Sequence, residues 1–149
     1  MTAFRRILHP TDFSPASAPA LRRAVALARA CRAPLVLLHV MTPPSPFIGE
    51  GVPPSSYADL LLVARRSSKR RLAAALARVK REGVRSRAIF EEGLPADEIL
   101  RAARRARADL IVMGTHGRSG VSRVFMGSVA ERVVRESRCP VLTVRAHGR

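Results

Sequence analysis

Residues 108–134 read ADLIVMGTHGRSGVSRVFMGSVAERVV. The run Leu110–Met113 is apolar without alternation, the pattern of a strand covered on both faces, as in a parallel sheet. Behind it come four of the chain's nine glycines, Gly114, Gly117, Gly120 and Gly127, and after the last of them SVAERVV opens a helix. Strand, glycine-rich connection and helix in that order form the unit of an open α/β sheet, whose ligands lie beyond the carboxyl ends of strands where strand order reverses. Gly114 and Gly117 allow backbone conformations with positive φ, and they remove side chains that would keep a ligand from the main-chain N–H groups.

Four further aliphatic runs read as strands: RRILHP (5–10), APLVLLHV (33–40), VRSRAIF (84–90) and PVLTVR (140–145). Helical periodicity fills the stretches between them. The alternation predicts an α/β doubly wound domain, an open five-stranded parallel sheet with helices on both faces and right-handed crossovers. The first helix, in APALRRAVALARAC, starts near Ser14-Pro15 or Ser17, since either serine can cap it and Pro19 tolerates only a first-turn place. A long helix is expected from about Tyr57 to Arg81, ended by Gly83, and another near Ala96 to Ala106, with Asp109 opening the fourth strand. TPPSPFIGEGVPPSSY is too rich in Pro, Gly and Ser for a tight connection, so 42–56 reads as a mobile loop, either a lid or an insertion.

At 149 residues the chain suits one domain, 1–149, able to bury roughly 70% of its unfolded surface. Apolar residues make up 47% and aromatics 4%, with no Trp, so the core must be aliphatic. No signal-peptide region opens the sequence and no run approaches the roughly 18 apolar residues of a membrane span, which predicts a cytoplasmic protein without membrane contact. Cys31 and Cys139 have no metal spacing and read as two buried small hydrophobes rather than a disulfide.

A net charge of +16 would suit a nucleic-acid binder. Its distribution argues otherwise. The arginines fall into separate helical segments around 22–32, 65–71 and 101–107, as solvated helix faces do, and no basic run is interleaved with aromatics for stacking on bases. Nucleic acid is therefore the alternative partner, not the leading one.

The glycine connection suits an anion. SVAE reads as a capping box with Ser128 as N-cap and Glu131 at the third helical position. The free first-turn N–H groups, Val129 included, then carry partial positive charge worth about 0.3 to 1 kcal/mol to an anion. Gly127 would let a phosphate reach them, and Arg118 and Arg123 bracket the loop. Capping alone explains Ser128 and Glu131 but not the glycines before them. The loop is neither a P-loop nor a G-x-G-x-x-G turn. Asp12, at the end of the first strand, is placed either to accept from ribose hydroxyls or to make a turn. His9 and His39 read as core or flank histidines, and His116 as a residue within reach of a phosphate.

GTHGRSGVSRVFMGSVAERVV (114–134) resembles the signature of the universal stress protein family, G-x-x-G, nine residues, then G followed by Ser or Thr, met here by Gly114, Gly117, Gly127 and Ser128. ILHPTDFSPAS, LVLLHVM, EEGLPADEIL and CPVLTVR resemble the family's opening strand and Asp loop, second strand, link to the third helix and closing strand. The likeness implies a Rossmann-like sheet ordered 3-2-1-4-5 and membership of the ATP-binding branch. It further implies that Asp12 meets the nucleoside, that the backbone at Thr11 and Val40 frames adenine, and that the glycine loop (Gly114, Gly117, Gly127) with Ser128 and Val129 holds the phosphates, with Pro10, Met113, His116 and Arg118 also counted among the nucleotide-binding residues and Mg²⁺ accompanying ATP. A homodimer through the last strand, VLTV (141–144), is implied as well.

Hydrolysis would need a positioned water, a group to orient it and usually Mg²⁺. Asp12 and Arg118 are the only such groups near the loops, and no P-loop lysine exists, so the sequence predicts a nucleotide-responsive regulatory protein of stress response, with slow ATP hydrolysis as an alternative. HPTD lacks the His-x-Gly-His signature of nucleotidyl transferases with related architecture.

Overall fold

The computed structural model describes residues 3–45, 53–116 and 126–146. In chain order the elements are β1 (Ile7–Pro10), α1 (Ala18–Cys31), β2 (Leu35–Met41), α2 (Pro54–Arg81), β3 (Ser86–Glu92), α3 (Pro95–Ala106), β4 (Leu110–Gly114), α4 (Ser128–Glu136) and β5 (Val141–Val144). The strands form one sheet in the order β3-β2-β1-β4-β5, with every neighbouring pair parallel. This is the expected order, and it reverses between β1 and β4.

Successive strand residues face opposite sides of a sheet. Here both sides are covered, which is why the strand sequences do not alternate. Ile7, Leu35, Leu37, Leu110 and Val112 point into a cluster with Ala24, Val25 and Ala28 of α1 and Leu72, Ala75 and Val79 of α2. Leu8, Val36, Leu38, Ile111 and Met113 point into the other, with Ile99, Leu100 and Ala103 of α3 and Ala130 and Val133 of α4. Small alanines on the helix faces let the helices lie close to the sheet, so an aliphatic core without Trp closes without bulky side chains.

Several element ends differ from the sequence reading, each for a local reason. α2 begins at Pro54, ahead of Tyr57, because proline's fixed φ suits a first-turn position. α1 begins at Ala18 with Ser17 as N-cap, but the Ser17 hydroxyl donates to Ser14 O at 2.9 Å instead of capping the helix. The capping box at α4 is not formed. Gly127 is the N-cap, its carbonyl accepting Glu131 N–H at 2.9 Å, which places Ser128 inside the helix and leaves Glu131 one position too far along to fold back. The Glu131 carboxylate faces Arg135 instead, at 3.7 Å.

Asp109 lies just before β4, and its two oxygens accept the backbone N–H groups of Arg5 at 2.7 Å and Arg6 at 2.9 Å. The starts of β1 and β4 are tied together there. Cys31 and Cys139 are free thiols, only partly buried, each packed at the edge of a different core cluster. Among the described residues no helix is long and apolar enough to cross a membrane.

Candidate functional site

The reversal in strand order opens a cleft of about 760 Å³ over the carboxyl ends of β1, β2 and β4. That size falls within the range of small-molecule sites.

The turn after β1 supplies one wall. Thr11 N–H donates to Leu38 O at 2.8 Å, continuing the parallel ladder one residue past β1. Thr11 O accepts the Nδ1–H of His39 at 2.8 Å, and Thr11 Oγ1 accepts Phe13 N–H at 3.0 Å. Asp12 Oδ1 accepts Ser14 N–H at 2.9 Å, so the carboxylate both shapes the turn and borders the cleft; the two readings of Asp12 are compatible. Phe13 takes a left-handed conformation, φ 61°, with its ring 4.4 Å from the His39 ring.

The opposite wall is the exit of β4. Gly114 does not use the positive φ open to it; a Cβ there would lie 3.3 Å from Ala16 O, where the first turn crosses over it. Gly127 has φ −61° and donates its N–H to Thr115 O at 2.7 Å. A Cβ there would meet the same Thr115 oxygen at 3.1 Å. The close approach brings the start of α4 against the end of β4. The first-turn amides of Ser128, Val129 and Ala130 have no intrahelical acceptor and lie at the positive end of the helix. Thr115 Oγ1 and His116 Nδ1 are 2.9 Å apart beside them.

Pro10, Thr11, Asp12, Val40, Met113, Gly114, His116, Gly127, Ser128 and Val129 thus border one cleft. Gly117 and Arg118, together with Gly120 and Arg123, lie outside the described residues. His39, taken as a core or flank histidine, is nearly buried yet also borders the cleft. His9 stays in the core, with Nδ1–H donated to Val112 O at 2.8 Å and Nε2 without a partner. Burial lowers its pKa from 6.5 to about 4, so the ring is neutral.

The sequence reading missed a third wall. Ala64, Ser67, Ser68 and Arg71 of α2 border the cleft at the i, i+3, i+4 and i+7 spacing that defines one helix face. The signal was the serine pair inside ARRSSKRR, two short polar residues among long cations, which by itself looks like any solvated surface. Asp12 is the one carboxylate among the described lining residues.

The profile of the universal stress protein family matches residues 3–145. The chain belongs to this family. It is 35% identical over 143 residues to the universal stress protein MJ0531 of Methanocaldococcus jannaschii, covering 95% of this chain and 82% of that one. The solved structure of protein MJ0577 superposes with a TM-score of 0.85 at 27% identity, over 99% of this chain and all of the other. A universal stress protein crystallised in complex with cAMP superposes with a TM-score of 0.68 at 27% identity, over 97% of this chain and 98% of that one.

Proposed function

We propose that this universal stress protein binds ATP in the cleft between β1 and β4 and acts as a nucleotide-responsive regulator in stress response. The observation that carries the reading is the meeting of Asp12 and Val40 on one side with Gly114, Gly127 and the first-turn amides of α4 on the other, all bordering one cleft. A ribose hydroxyl suits a carboxylate at a strand's end, and a phosphate suits first-turn amides. A relative of the same fold takes an adenine nucleotide, cAMP, which supports the base and ribose part of the assignment.

Mg²⁺ would enter on the phosphates. It binds through few protein carboxylates and keeps much of its hydration, so a single Asp12 at the cleft is a compatible donor set, and the ion would neutralise phosphate charge. The chain acts as one domain, 1–149, in the cytoplasm, and pairs through β5, the sheet edge that carries the exposed Leu142. The arginines support a small-molecule ligand over nucleic acid. Some are spent on intramolecular pairs, among them Arg65 with Glu92, Arg105 with Glu91 and Arg132 with Asp97.

Mass spectrometry of the small molecules released on denaturing the purified protein, paired with thermal melts in ATP and Mg²⁺, tests the reading. Wild type is expected to melt higher with ATP, and Gly127→Val and Asp12→Ala to lose the shift. No released nucleotide and no ATP response in wild type would remove the proposal.

A further inference from the structure

The α2 wall of the cleft carries a cation that the nucleotide reading does not use. Arg71 borders the cleft, and its guanidinium carbon lies 4.9 Å above the centre of the Phe13 ring. Among the described residues it has no carboxylate partner, whereas Arg65, Arg101, Arg105, Arg132 and Arg135 each have one. The ring beneath it is held in turn. Phe13 follows Asp12 directly, keeps the left-handed conformation at φ 61° and rests against His39 on the other side. A strained residue that fixes a cation beside a ligand-facing turn is the kind of feature found at binding sites.

The two positive features of the cleft lie on opposite faces of the sheet. The α4 amino terminus belongs with α3 and α4, and Arg71 with α1 and α2. Asp12, on the turn after β1, borders the cleft with both, and Phe13 beside it packs on the α1 and α2 side. One Asp12 oxygen already accepts Ser14 N–H, so the carboxylate is partly committed, and one ribose hydroxyl is the natural complement of what remains. In dinucleotide folds an acidic residue takes an unphosphorylated ribose hydroxyl, or else a nearby arginine takes a phosphate on that hydroxyl; here Asp12 and Arg71 both border the cleft, so Asp12 can serve the free hydroxyl and Arg71 a phosphate on the other. A planar guanidinium matches a phosphate with paired donors, which a lone ammonium does not.

We propose that Arg71 forms a second anion subsite, so that the cleft prefers an adenine nucleotide phosphorylated on its ribose, at the 2′ or 3′ position, as well as at the 5′ position. The inference rests on the nucleotide reading above and goes beyond it in ligand class and in the residue that selects it.

Calorimetric titration of the full chain at physiological salt tests it, with AMP, adenosine 2′,5′-bisphosphate and adenosine 3′,5′-bisphosphate as probes. Wild type should bind at least one bisphosphate about tenfold more tightly than AMP, the gain expected of a new charge-assisted contact. Arg71→Met should reduce that ratio to less than about twofold, and Arg71→Lys should keep part of it. Arg70→Met removes the same charge from the next position on α2, outside the cleft lining, and should keep the full ratio. A wild-type ratio under twofold for both bisphosphates, or a ratio unchanged in Arg71→Met, overturns the second subsite while AMP and ATP binding leaves the nucleotide reading standing. Failure of wild type to bind ATP, AMP and both bisphosphates overturns the two together.

Discussion

His9 on β1 donates its Nδ1–H to the carbonyl of Val112 on β4 at 2.8 Å, across the seam where strand order reverses. The opposite ring nitrogen, Nε2, is buried without a partner. A proton there would put a charge in the aliphatic core, and burial accordingly lowers the pKa to about 4.

The unfolded chain, with an ordinary histidine near 6.5, binds the extra proton before the folded one does. Stability is then complete above pH 6.5 and falls as pH drops from there towards 4, by about 1.4 kcal/mol per unit. Urea midpoints at pH 7 and pH 5 should differ by the equivalent of about 2 kcal/mol in wild type and by clearly less in His9→Leu. Equal pH dependence in the two proteins would assign the effect elsewhere.

Ser128 borders the cleft but does not cap α4. Ser128→Ala should therefore change stability by no more than about 0.5 kcal/mol, against the roughly 1 kcal/mol lost with a capping serine. Gly127→Val should be much worse, by about 1 to 3 kcal/mol, because its side chain runs into Thr115 O. Denaturant unfolding without ligand separates the two. A large loss in Ser128→Ala would restore the capping box.

Asp109→Ala leaves the N–H groups of Arg5 and Arg6 without their acceptor, at a cost of about 1 to 3 kcal/mol. Asp109→Asn keeps one acceptor oxygen and should lose about half of that. Because Asp109 lies at the amino ends of β1 and β4, away from the cleft, ATP affinity should be unchanged in whatever fraction remains folded.

The proposed pairing through β5 makes Leu142 the residue to change, since it is exposed on the edge strand. Leu142→Arg should shift the sedimenting species from two chains to one while the ATP-induced melting shift persists. A wild-type protein that sediments as a single chain at every concentration would remove the β5 dimer.

The sheet was legible in the sequence because strands such as LVLLHV must be apolar on both faces, and a turn rich in glycine followed a similar run. What stayed hidden depends on contacts distant in sequence. Nothing around Gly127 reveals that its N–H is taken by Thr115 O, and so Ser128 was assigned one position too early in its helix. That Gly114 is a glycine is plain from the sequence, but the crowding by Ala16 O, far away in the chain, is not. The α2 wall was invisible for the same reason, because Ser67, Ser68 and Arg71 gain meaning only once α2 lies beside the turn holding Phe13.

The two rims of the sheet are unequal. At the amino ends of the strands the chain returns through short connections, 32–34, 82–85, 107–109 and 137–140, with Asp109 stapling two neighbours. At the other rim three of the four connections, 11–17, 42–53 and 115–127, are longer, and only 93–94 is tight. The load of keeping the strands in register thus falls on the amino-end rim, and substitutions in the longer connections opposite are expected to cost the fold less than substitutions at Asp109.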